Sequence, residues 1–122
     1  FVCSLATYEL KDQMNTTSAM VGPEVDEMKL AGLTPAPCNL VKPPRVAESP
    51  VAFECKYHKT IVLPGLNGAE GNLVVLGAVV GIHIDDGAIV DGRVDTAKMR
   101  PIARLGYMDY SVVDAVFSLD RP

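Results

Sequence analysis

Leu73-Val74-Val75-Leu76-Gly77-Ala78-Val79-Val80-Gly81-Ile82-His83-Ile84 is the most apolar run of the chain, twelve residues without a charge before the closing histidine. It is too short for a transmembrane helix, which needs about 20 residues. A nearly continuous apolar run reads instead as a strand covered on both faces or wrapping a barrel, and Gly77 and Gly81 mark bends or a close approach. Just upstream, Val51-Ala52-Phe53-Glu54-Cys55-Lys56-Tyr57-His58-Lys59 alternates. A period of two assigns Val51, Phe53, Cys55 and Tyr57 to a buried face and Glu54, Lys56 and His58 to a polar one. Thr60–Leu63 would lengthen this strand, and the glycine-rich residues 64–72 form the loop between the two.

Working outward, Phe1–Leu5 reads as the end of a strand, an opening without a polar lead-in that suggests the interior of a domain. Residues 6–20 carry Leu10 and Met14 one helical turn apart, so they read as an amphipathic helix with Thr7 as N-cap, ending or fraying at Asn15-Thr16-Thr17-Ser18. Asp26–Gly32 reads as a short helix with carboxylates at its positive end and glycine past its close. Five prolines between residues 33 and 50 hold that connection extended. Asp85-Asp86-Gly87 and Asp91-Gly92 are turns. Residues 95–105 read as a short helix interrupted by Pro101, and residues 112–119 as a last strand. Helices first and long strands afterwards make the fold class mainly β with helical insertions, either α+β or a β-barrel.

The bulk numbers bound the function. A chain of 122 residues allows one domain. A formal charge of -4 and the lack of a basic stripe argue against nucleic acid. No membrane-spanning segment or signal peptide is evident. Three cysteines at wide spacing form neither a disulfide framework nor a metal-binding pair, so the expectation is a reducing cytoplasm and no metal.

No GxSxG, HExxH, P-loop or GxGxxG motif is present. His58 reads as a surface histidine. On pattern alone His83 reads as a satisfied, partly buried histidine, with a site histidine as the alternative. Asn15, Thr17 and Ser18 offer hydrogen bonds to a polar ligand, or simply end a helix. Cys55 reads as core and Cys38 as a bystander. Arg104-Leu105-Gly106-Tyr107-Met108-Asp109-Tyr110 gathers a cation, a carboxylate and two phenols, which serve a site or a structural corner equally well.

Five segments carry a resemblance: FVCSLATYELKDQMNTTSA (1–19), VDEMKLAGLTP (25–35), PPRVAESPVAFEC (43–55), GNLVVLGAVVGIHIDDGAIVDGRVD (71–95) and RPIARLGYMDY (100–110). In content and order they resemble the flavin reductase-like family. The resemblance implies an FMN-binding split β-barrel whose N-terminal strands are absent from this chain, residues 1–122 being a partial, C-terminal portion of the domain. It implies hydride transfer from NADH or NADPH to FMN, a homodimer, and in some members delivery of reduced flavin to a monooxygenase partner. It makes His83 the catalytic candidate and Asn15, Thr17, Ser18, Arg104, Tyr107 and Tyr110 the cofactor-binding candidates. Ser4 stands where the family more often has Asn. Two other readings stay open: a flavin-binding protein without turnover, and a structural or oligomeric remnant of the fold.

Overall fold

The computed structural model describes residues 1–69 and 71–122; Glu70, in the loop expected between the long strands, lies outside the described residues. Strand β1 (Val2–Ser4) runs antiparallel to β4 (Val51–Leu63), which pairs along its full length with β5 (Asn72–Ile84). The sheet order is β1-β4-β5. Both long strands fall where the apolar patterns place them, including the extension through Leu63. The first residue is fixed by a reciprocal pair, with the Phe1 amine donating to the Cys55 carbonyl and the Cys55 amide to the Phe1 carbonyl, each at 2.8 Å.

The expected facing of β4 is corrected. Ala52, Glu54 and Cys55 are buried, whereas Phe53 is 39% exposed. Strict alternation fails because the β4–β5 ladder slips between Glu54 and Cys55, where Val80 is left without a partner, and again at His58. A bulge of this kind re-aims the side chains that follow it. A carboxylate tolerates the interior only when hydrogen bonds replace its water, and the loop described below supplies them.

A single 3₁₀ turn over Tyr8–Leu10 leads into α1 (Lys11–Thr16), shorter than the expected helix over residues 6–20. Thr7 stands at the cap position but makes no capping hydrogen bond. It is buried instead, its backbone bridging to Pro101. Helix α2 (Glu27–Ala31) follows the sequence reading: the Asp26 carboxylate accepts from the amides of Met28 and Lys29, and Gly32 closes it at φ 69°. One short antiparallel pair comes from the proline-rich connection, β2 (Pro35–Ala36) with β3 (Arg45–Val46).

Past β5, the turn at Asp85 is capped by its carboxylate on the Gly87 amide, and the Asp91-Gly92 turn joins β6 (Ile89–Val90) to β7 (Arg93–Val94). The helix expected over 95–105 is only α3 (Thr96–Met99). Pro101 cannot continue the helix, and Arg100 closes it as a left-handed C-cap at φ 50°, its amide donating to the Ala97 carbonyl. Ile102–Arg104 is then a strand, β8, paired with β9 (Tyr110–Val112). The last strand therefore spans Tyr110–Val112 rather than 112–119. No helix among the described residues is long and apolar enough to cross a membrane.

Candidate functional site

Five of the seven candidate residues are distributed over three hollows, and Ser18 and Tyr107 line none of them. Asn15, Arg104 and Tyr110 meet in a cleft of about 450 Å³ between α1 and the β8–β9 hairpin, with Tyr8, Lys11 and Met108 also on its wall. This lies within the usual ligand-pocket range of roughly 300–1,000 Å³. The hairpin brings Arg104 directly across from Tyr110. The Arg104 guanidinium donates to the Tyr110 hydroxyl and to the Tyr107 carbonyl, both at 3.2 Å, and sits 5.6 Å from the Tyr110 ring centroid. On the opposite wall, Lys11 approaches the Tyr8 ring at 4.5 Å; Arg100, which does not line the cleft, lies 4.4 Å from the same ring and pairs with Glu9 at 2.7 Å. Asp12 also lines the cleft and pairs with Lys11 at 3.2 Å, so the cleft offers aromatic surface, an amide, an ion pair and the Arg104 guanidinium, a set able to hold a planar polar ligand.

Thr17 lines a neighbouring hollow that shares Met14 with the cleft. Its hydroxyl donates to the Met14 carbonyl, and that of Ser18 to the Asn15 carbonyl, so both close the helix end. The Tyr107 side chain is 94% exposed on a residue with φ 57°.

His83 lines a separate polar recess of about 350 Å³ with Arg45, Ser49 and Asp85. The Arg45 Nε is buried there without a hydrogen-bond partner. Register explains the position of His83: it opposes Ala52, so it lies diagonally beside Glu54 on the same face. Its Nε2 is 2.6 Å from Glu54 Oε1. Gly81, opposite Glu54, leaves that face open, since a Cβ there would approach Leu40 at 3.3 Å and the Glu54 carboxyl at 3.4 Å. The Glu54 carboxylate also accepts the backbone amides of Asn39, Leu40 and Val41. Burial pushes its pKa up, but the amides of Asn39 and Leu40, the imidazole and the Val41 amide outweigh this and hold it at about 2. Glu54 is therefore an ionised buried carboxylate that orients the imidazole, the arrangement by which a carboxylate fixes a histidine tautomer.

Sequence reasoning missed Glu54, Tyr8 and Lys11. An acid between Phe53 and Cys55, in the apolar first half of the strand, was the signal for the first. The spacing of Tyr8 and Lys11, three residues apart, was the signal for the others.

The model of the family described as "Flavin reductase like domain" matches residues 1–110. The chain belongs to this family. A curated protein of Halalkalibacterium halodurans, itself uncharacterised, is 34% identical over the whole chain, which covers 58% of that protein. Nitrilotriacetate monooxygenase component B from Bacillus cereus is similar in structure, with TM-score 0.87 and 27% identity over 97% of this chain and 58% of that one. A split-barrel protein of the flavin reductase kind from Shewanella frigidimarina has TM-score 0.82 and 24% identity, covering 99% of this chain and 60% of that one. The architecture is thus that of the flavin reductase-like split barrel, and the chain spans somewhat over half the length of the relatives it matches.

Proposed function

We propose that the protein containing this chain is an NAD(P)H-dependent FMN oxidoreductase. The observation that carries this reading is the cleft joining Asn15, Arg104 and Tyr110 to Tyr8 and Lys11, in a chain of the flavin reductase-like family. Its residues fit FMN: the tyrosines offer faces for a planar ring, Arg104 offers charge to a phosphate or an electron-rich ring edge, and Lys11 does so only by leaving its pair with Asp12. When bound, FMN supplies the hydride acceptor and the means of passing electrons on; the protein supplies binding and orientation. Thr17, Ser18 and Tyr107 flank this cleft as secondary cofactor contacts. His83, immobilised by Glu54 in a recess that shares no lining residue with this cleft, is proposed to act on the co-substrate, NADH or NADPH, whose nicotinamide must still reach the flavin ring for hydride transfer.

A homodimer is part of this reading because the family resemblance implies it. The similarity to a monooxygenase component B supports transfer of reduced flavin to a monooxygenase partner. A cytoplasmic location accords with three unpaired cysteines.

The test is FMN titration and NADH or NADPH oxidation by the full-length protein. Arg104→Ala should weaken FMN binding by about 10- to 100-fold, as expected for a lost hydrogen bond to a charged group. His83→Ala should lower turnover more than FMN affinity. Bound flavin with no nicotinamide oxidation would leave a flavin carrier, and no flavin binding would leave a structural role.

A further inference from the structure

Cys38, Glu54 and His83 lie far apart in sequence, yet one ligand atom from each comes within 4.8 Å of the other two. Two of the three lie on regular backbone. Glu54 and His83 are on the paired strands β4 and β5. Cys38 follows Pro37 and immediately precedes the three residues whose amides clasp the Glu54 carboxylate. We propose that these three side chains bind a thiophilic divalent cation, Zn²⁺ in the first instance, with water as fourth ligand.

Three arguments carry it. A thiolate, an imidazole and a carboxylate form a ligand set that suits zinc and not magnesium or calcium. The metal needs no new lone pair on Glu54. It takes the place of the hydrogen bond between Oε1 and His83 Nε2 and leaves all three amide bonds intact, within the roughly four acceptor sites of a carboxylate. Tetrahedral bonds of about 2.0–2.3 Å put ligand atoms about 3.3–3.8 Å apart. The 2.6 Å contact between Glu54 and His83 must therefore open slightly and the Cys38 thiol must close in. Finally, charge closes: the cation is balanced by one thiolate and one carboxylate, with the imidazole neutral. Cys38 releases its proton to solvent as the metal–sulfur bond forms, and no electron moves. The second imidazole nitrogen stays available to the recess, so the cation would hold His83 in place without occupying its proposed role. This inference does not rest on the flavin reading.

The experiment uses full-length protein stripped by a chelator and titrated with Co²⁺. The expected result is a thiolate-to-cobalt charge-transfer band in the near ultraviolet, saturating at about one ion per chain and abolished by Zn²⁺. Cys38→Ser should remove the band, Cys3→Ser should keep it, and His83→Gln should weaken Co²⁺ binding at least about tenfold. No band, or a band that survives Cys38→Ser, overturns the site. Should Cys38→Ser fail to fold, the wild-type protein decides: Zn²⁺ must slow alkylation of Cys38 followed by mass spectrometry, and an unchanged rate overturns the proposal.

Discussion

Replacing Glu54 with Gln removes one charge and almost no volume, which isolates the buried carboxylate. Its two oxygens accept from three amides and one imidazole nitrogen. A glutamine has one carbonyl oxygen, able to serve two amides, and an NH₂ group that serves none. At least one amide among Asn39, Leu40 and Val41 is therefore orphaned, and the loop before β3 loosens. The pH dependence gives the sharper signature. The folded pKa lies near 2, below the ordinary 4.5. The stabilising contribution is thus fully present above pH 4.5 and is lost as pH falls toward 2. Within that window one proton changes the folding equilibrium by up to about tenfold per pH unit. Denaturant unfolding of chelator-stripped wild-type and Glu54→Gln full-length protein between pH 2 and 7 measures it. The gap between the two should be widest above pH 4.5 and narrow steadily toward pH 2. A gap that stays constant across this range would falsify the assignment of an ionised, amide-held carboxylate.

Two further substitutions read other parts of the structure. The buried Ser49 hydroxyl lies 2.9 Å from the carbonyls of both Leu5 and Val51, tying the end of β1 to the start of β4. Ser49→Ala should cost about 1–3 kcal/mol, the penalty for a buried polar group left unpaired, and an unchanged unfolding midpoint would show that water replaces the hydroxyl at no cost. Tyr107 holds a left-handed backbone with its side chain in solvent. Tyr107→Gly should raise stability by roughly 1 kcal/mol through relief of that backbone while weakening FMN binding, and unaltered FMN affinity would take Tyr107 out of the site.

The elements of this chain were legible wherever one local rule was sufficient. Period-two alternation and an unbroken apolar run located β4 and β5; aspartate before and glycine after located α2. The readings failed where a distant partner decided the outcome. Ile102–Arg104 reads as helix until β9 is there to pair with it, and Thr7 reads as a cap until Pro101 bridges it. Glu54 is the most instructive case. Alternation assigns its side chain to solvent, and only a loop arriving from fifteen residues upstream turns it into an interior anion. The same applies to the candidate site. Arg104 and Tyr110 are close in sequence, but the helix reading of residues 95–105 hid their pairing across a hairpin, and their meeting with Asn15 depends on how α1 packs beside that hairpin. His83, by contrast, carried both its readings in the sequence: an apolar strand end predicts a satisfied histidine, and the carboxylate that satisfies it is also what holds the ring rigid. A histidine in that state needs no choice between structure and function, because fixing the imidazole is the precondition for using it.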